Sequence, residues 1–191
     1  MTALCIFCSS SDAVNSVYKT AATQLGERMA QRGDTLVYGG TDVGLMGAVA
    51  RAVNLGGGRV VGVIPQAIHD RGLSNTMTHE LVITPDLRER KRQMEERADG
   101  FVVLPGGFGT LEEAVEVLTL KQLQLLNKPI VFLNTDDFYA PLLNLFDHFY
   151  THQFARPSHR QLYHVAPDVD SVFAYLDAYQ PTAIETKWFE K

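Results

Sequence analysis

Apolar runs alternate with stretches of helical spacing along most of this chain: ALCIFC (3–8), TLVY (35–38), VVGVI (60–64), LVI (81–83), FVVL (101–104), PIVFL (129–133) and LYHV (162–165). Strands with no polar alternation are buried on both faces, and neighbours pair in parallel only when a helix carries the chain back between them. The expected fold is therefore α/β: a Rossmann-like, doubly wound, mainly parallel sheet with helices on both faces. Helices are predicted from Ser16 to the Gly33 stop, over 87–98 and over 110–126, and from Tyr139 to Tyr150 and Asp168 to Ala178. A chain of 191 residues suits one domain. It is read as a single nucleotide-binding domain over 1–180 with an irregular tail over 181–191.

Several function classes are disfavoured at once. A net charge of -5 disfavours nucleic acid, whose phosphates require a basic surface. No apolar run approaches the ~18 residues of a membrane span. The first residues lack the basic start of a secretory signal, so a soluble cytoplasmic protein is expected. Cys5 and Cys8 stand three apart on a strand and should face opposite sides, which suits core thiols and not a chelating pair.

In a parallel sheet, ligands bind beyond the carboxyl ends of the strands. Two glycine clusters fall there: GGTDVGLMG (39–47) and PGGFGT (105–110). A glycine loop that opens a helix presents backbone N–H groups beside the positive end of the helix dipole, which suits a phosphate. Gly106, Gly107 and Gly109 permit close approach, and the Thr110 hydroxyl adds a donor. Asp42 disfavours a second phosphate at the earlier loop. Neither loop ends in GK[ST], and the turn after the first strand, CSSSDA, lacks G-x-G-x-x-G, so a P-loop enzyme and a hydride-transfer enzyme are both disfavoured.

Two readings of Glu113 stand side by side. Thr110-Leu-Glu-Glu113 fits a capping box, which would absorb the carboxylate in helix-start amides. A phosphate on those amides would instead free it for chemistry. Leu111, Ala114, Val115 and Leu118 are expected to face the sheet, with Val117 and Leu120 on the opposite side forming a homodimer seam through the 110–126 helix. Arg90 and Lys91 fall within the thin apolar stripe of Leu87, Met94 and Ala98, where a buried anionic partner would suit them.

Three segments, VYGGTDVGLMGAVA, RERKRQM and PGGFGTLEE, resemble the LOG ("lonely guy") family of cytokinin riboside 5'-monophosphate phosphoribohydrolases, whose signature is PGGxGTxxE with an upstream Arg-Lys pair. The likeness runs from about Cys5 to Tyr150. It implies hydrolysis of the N-glycosidic bond of a nucleoside 5'-monophosphate, with Arg90 and Glu113 catalytic. Substrate phosphate and ribose would fall to Ser10, Gly40, Glu80, Pro105, Gly106, Gly107, Gly109 and Thr110. Lys91 and Met94 would line or support the base pocket, Met94 otherwise being core. Neither a metal nor a cofactor is implied. A lysine decarboxylase label attached to such sequences would require a Schiff-base lysine with pyridoxal phosphate, and nothing in the chain resembles that. The chain departs from the pattern with LRERK for MHERK, GGTD for GGG, and TLKQLQ for a TWxQLG-type run. The preferred base, adenine or an N6-prenylated adenine, stays open. The alternative is a non-catalytic carrier of a phosphorylated, nucleotide-like cofactor, which would need the glycine loop but not Arg90 with Glu113.

Overall fold

A computed structural model describes residues 2–181, 183 and 185. Among these residues seven strands form one sheet: β1 (Ala3–Phe7), β2 (Thr35–Tyr38), β3 (Arg59–Pro65), β4 (Glu80–Thr84), β5 (Gly100–Val103), β6 (Ile130–Leu133) and β7 (His164–Ala166). Every adjacent pair is parallel, in the order β4-β3-β2-β1-β5-β6-β7. The chain winds outward from β1 in one direction and from β5 in the other, so the topological switch lies between β1 and β5.

The described residues form seven α-helices, of which all but the one-turn α3 cover the two faces: α1 (Ser16–Arg32), α2 (Gly44–Leu55), α3 (Gln66–His69), α4 (Leu87–Arg97), α5 (Phe108–Gln122), α6 (Ala140–Thr151) and α7 (Val169–Ala178). Alternation along each strand divides the core. Leu4, Ile6, Leu36, Tyr38, Val102 and Val131 pack against α1, α2 and α7. Cys5, Phe7, Val37, Phe101, Val103 and Phe132 pack against α4, α5 and α6. Cys5 and Cys8 accordingly lie in different core layers, buried and unpaired. The local signals act as expected at the helix ends: Gly33 closes α1 at φ 70, and the Asp86 and Asp168 carboxylates cap α4 and α7. The irregular stretch 66–79 holds only the one-turn α3. The predicted tail falls largely outside the described residues.

The helix predicted over 110–126 is displaced. It starts two residues earlier, because Gly107 and not Thr110 takes the N-cap position. It stops at Gln122 because Gln124 adopts φ 61, a left-handed conformation that closes the helix. Gln124 occupies the glycine position of the TWxQLG-type run. A β-carbon in that region costs about 1–2 kcal/mol, partly offset by the greater chain entropy that glycine loses on folding. Gln124→Gly is expected to stabilise the fold by about 0.5–1 kcal/mol, read as a higher urea midpoint at unchanged slope.

The faces of α5 also differ from expectation. Thr110, Glu113, Ala114, Val117, Leu118 and Lys121 are buried, whereas Leu111 and Val115 are exposed at 37% and 42%. Glu113 turns inward to meet a buried arginine, and Val117, four residues on, follows it. Of the two expected outer residues, Val117 is therefore inside and Leu120 half-buried, and two expected inner residues are outside. On the same face Lys121 is almost fully buried. Its Nζ has no hydrogen-bond partner among the described residues and lies 5.0 Å from the centroid of the Tyr179 ring.

Burial pushes the Lys121 amine down to about 8. The unfolded chain, with an amine near 10.4, binds more protons between these values, so this group makes stability rise with pH across that window. Lys121→Met removes a buried amine that has no hydrogen-bond partner among the described residues. It should raise the urea midpoint at pH 7 and abolish that alkaline increment relative to the parent.

Candidate active site

The loops that follow β1 and β5 meet at the switch point and enclose a cleft of ≈ 360 Å³. From the β1 side come Cys8, Ser9, Ser10 and Ser11; from the β5 side come Gly107, Phe108, Gly109, Thr110 and Glu113; Met46 and Arg90 complete the lining. The two loops are tied together where the Ser9 N–H donates to the Pro105 carbonyl at 3.3 Å.

The two glycine clusters differ in what their amides do. At α2 the helix start is closed by the chain itself. The Leu45 and Met46 N–H groups donate to the Ser9 carbonyl at 2.9 and 3.3 Å, and the Gly44 N–H donates to the Asp12 carboxylate at 3.0 Å. That helix start braces the β1 turn, with its Gly44, Leu45 and Met46 amides turned to the chain itself. At α5 no side chain caps the helix, and Glu113 is committed elsewhere. The helix start over 107–110, whose amides no side chain caps, therefore borders the cleft at the positive end of a 15-residue helix, an arrangement that attracts an anion. The capping-box reading of Thr110 and Glu113 is thus overturned: Thr110 already stands inside the first turn.

Arg90 is 7% exposed and Glu113 4%, and the Arg90 Nη1 donates to the Glu113 Oε1 at 2.6 Å. The arginine is fixed from behind by Nε–H donation to the Val63 carbonyl at 3.0 Å. Its other nitrogen rests on Gly39, where a β-carbon would stand 2.2 Å from Nη2. Gly39 is thus a glycine because the guanidinium occupies the place of its side chain. Burial pushes the Glu113 carboxyl up, while Arg90 pulls it back towards the charged form. A desolvated carboxylate, held charged by one arginine beside an array of open amides, can stabilise a cation and direct a water.

Of the residues expected in the site, Ser10, Gly107, Gly109, Thr110, Arg90 and Glu113 come together in this cleft. Pro105 is buried behind it, and Gly106 packs so closely on Thr110 that a β-carbon would lie 2.1 Å from Oγ1. Four others are elsewhere. Gly40, at φ 79, turns its carbonyl to the Asn75 N–H at 2.8 Å and shapes the bracing loop. Glu80 stands at the amino end of β4, away from the strand ends that carry the cleft, and is paired with Arg59 and Arg97 at 2.9 Å each. Met94 is fully buried among Cys5, Phe7 and Phe101 as a core side chain. Lys91 leans on α5 in ion pairs with Glu112 and Glu116.

Sequence reasoning missed Met46, Phe108 and Cys8 as lining residues, and Gly39 as the seat of the arginine. Met46 carried a readable signal, since it opens the helix after a glycine loop on the correct sheet edge. Nothing in the local sequence marked Cys8.

The sequence model of a family described as "Possible lysine decarboxylase" matches residues 46–176. Among similar proteins, the probable cytokinin riboside 5'-monophosphate phosphoribohydrolase LOGL5 of Oryza sativa subsp. japonica is 40% identical over 190 residues, covering 97% of this chain and 77% of that one. The cytokinin riboside 5'-monophosphate phosphoribohydrolase LOG5 of Arabidopsis thaliana is 39% identical over 178 residues, covering 93% and 78%. Among solved structures, the molybdenum cofactor carrier protein of Chlamydomonas reinhardtii superposes with a TM-score of 0.70 at 23% identity, covering 92% of this chain and 96% of that one. The molybdenum cofactor binding protein of Rippkaea orientalis gives a TM-score of 0.71 at 18% identity, covering 93% and 96%. These two likenesses establish the fold alone. The sequence matches extend over nearly the whole chain, and the chain belongs to the family of the cytokinin riboside 5'-monophosphate phosphoribohydrolases.

Proposed function

We propose that this protein hydrolyses the N-glycosidic bond of a purine-type nucleoside 5'-monophosphate, releasing the free base and ribose 5-phosphate. The observation that carries the reading is the buried Arg90–Glu113 pair set against the uncapped amides of α5. The 5'-phosphate sits on the amides of Gly107–Thr110 and anchors the substrate at a distance from the reacting bond, so its binding energy goes into positioning. As the C1'–N bond breaks, its electron pair leaves with the base and positive charge develops on the ribose ring. Glu113 faces that charge and orients the water whose oxygen bonds to C1'. The water gives up one proton, and the base takes one. Arg90 keeps the buried carboxylate ionised until substrate arrives. The acid limb of kcat/KM is accordingly expected above the ordinary carboxylate value of 4.5, because burial raises the Glu113 carboxyl and activity requires its charged form.

The whole chain acts in this reading as one domain in the cytoplasm. Two copies associate across the flank of α5 that bears the exposed Leu111 and Val115, which runs on to Phe149 and the protruding Phe154. No described helix is long and apolar enough to cross a membrane. A carrier of a phosphorylated cofactor could share the fold and the loop, but it has no use for a desolvated Arg90–Glu113 pair facing the ligand. Incubation with AMP, and separately with isopentenyladenosine monophosphate, followed by chromatography, tests the reading. Free base and ribose 5-phosphate in equal amounts are expected. Recovery of intact nucleotide from a saturated, folded protein would favour the carrier.

A further inference from the structure

We propose that Lys91 is a positioning residue for this reaction: it straps α5 to α4 from outside, so that Glu113 and the phosphate-binding turn face Arg90 in a single register. The inference rests on the reading of the site given above. Arg90 and Lys91 are neighbours on α4, and they meet one turn of α5 from two sides. Arg90 takes Glu113 on the buried side. Lys91, its side chain only 12% exposed, pairs with Glu112 and, at 2.6 Å, with Glu116. Glu113 is thus flanked in sequence by the two carboxylates that Lys91 holds. One residue of helix rotation is about 100°, so a modest turn of α5 would carry Glu113 away from the guanidinium.

The phosphate amides and Glu113 belong to one helix, and α5 moves them together. What the strap fixes is their placement against Arg90 on α4 and the serines after β1. The charged groups facing Lys91 are Glu112 and Glu116 from α5 and Glu95 one turn along α4; Lys128, before β6, closes the cluster by donating to the Glu95 carbonyl at 2.7 Å. The lysine cation also favours the charged form of Glu113, whereas Glu112 disfavours it.

Two full-length variants with opposite electrostatic effects test the strap, with AMP as substrate. Lys91→Met should lower kcat by about 10- to 100-fold with KM nearly unchanged, the scale expected of a misplaced catalytic group. It should also move the acid limb of kcat/KM to higher pH, and Lys91→Arg should restore both. Glu112→Gln with Glu116→Gln loses the strap without losing a cation, and both side chains are partly exposed, which keeps the variant foldable should Lys91→Met aggregate. It should show a similar fall in kcat with the acid limb moved to lower pH. Wild-type kcat in both variants, or a fall that leaves the acid limb in place and that arginine fails to rescue, would overturn the proposal while leaving the hydrolase reading intact. Absence of AMP hydrolysis in the wild type would overturn both.

Discussion

Glu113→Gln is expected to bind AMP about as tightly as the wild type and to hydrolyse it at least about 100-fold more slowly, a typical loss for one electrostatic contact to a developing charge. The substitution keeps the shape of the side chain, and its amide oxygen can still accept from Arg90 at the position now 2.6 Å away. Glu113 caps nothing, so α5 should keep its start at Gly107. What disappears is the negative charge. A neutral amide cannot offset a ribosyl cation or take a proton from water. Calorimetric titration with AMP measures the first half of the expectation and single-turnover release of adenine the second. Turnover close to wild type would remove Glu113 from the chemistry.

Gly109→Ala should make the protein slightly more stable and the substrate more weakly held. Gly109 lies in the first turn of α5, and a β-carbon there meets nothing within 4 Å. Alanine is the better helix former by up to about 1 kcal/mol, so the folded state gains. In the proposed reading the same methyl group enters the space a phosphate needs to reach the first-turn amides. KM for AMP is expected to rise by about 10- to 100-fold, since displacement of a bound group by an ångström costs about that much. The contrast with Gly106 sharpens the reading. At Gly106 the obstacle is the protein's own Thr110, so glycine is required for folding; at Gly109 the protein sets no obstacle, and in the proposed reading the need for glycine comes from the ligand. Thermal melts with and without inorganic phosphate, alongside AMP kinetics, separate the two. An unchanged KM would mean that the loop does not hold the phosphate.

The layers of the fold were legible because the strands are continuous apolar runs, and Gly33 and the capping aspartates act locally. Arg90 was legible as an inward charge because it stands in an apolar stripe otherwise too thin to bury a helix. The phase of α5 was not legible. Its outer and inner sides both carry leucine and valine, and only the pairing of Glu113 with Arg90, 23 residues away in sequence, decides which turns inward. Only Asp42 sets the two glycine clusters apart in sequence, and it does not reveal that one has its helix-start amides consumed by the Ser9 carbonyl and Asp12. That difference depends on contacts between residues more than 30 apart, which no local pattern encodes. The place of Glu80 was not legible either, because its partners, Arg59 and Arg97, come from other elements at the far end of the sheet.

The most direct test of the account is a crystal structure of the Glu113→Gln protein soaked with AMP. The account predicts the 5'-phosphate oxygens within about 3 Å of the backbone nitrogens over 107–110, with C1' turned towards residue 113. Phosphate density anywhere else, with those amides facing only water, would contradict it.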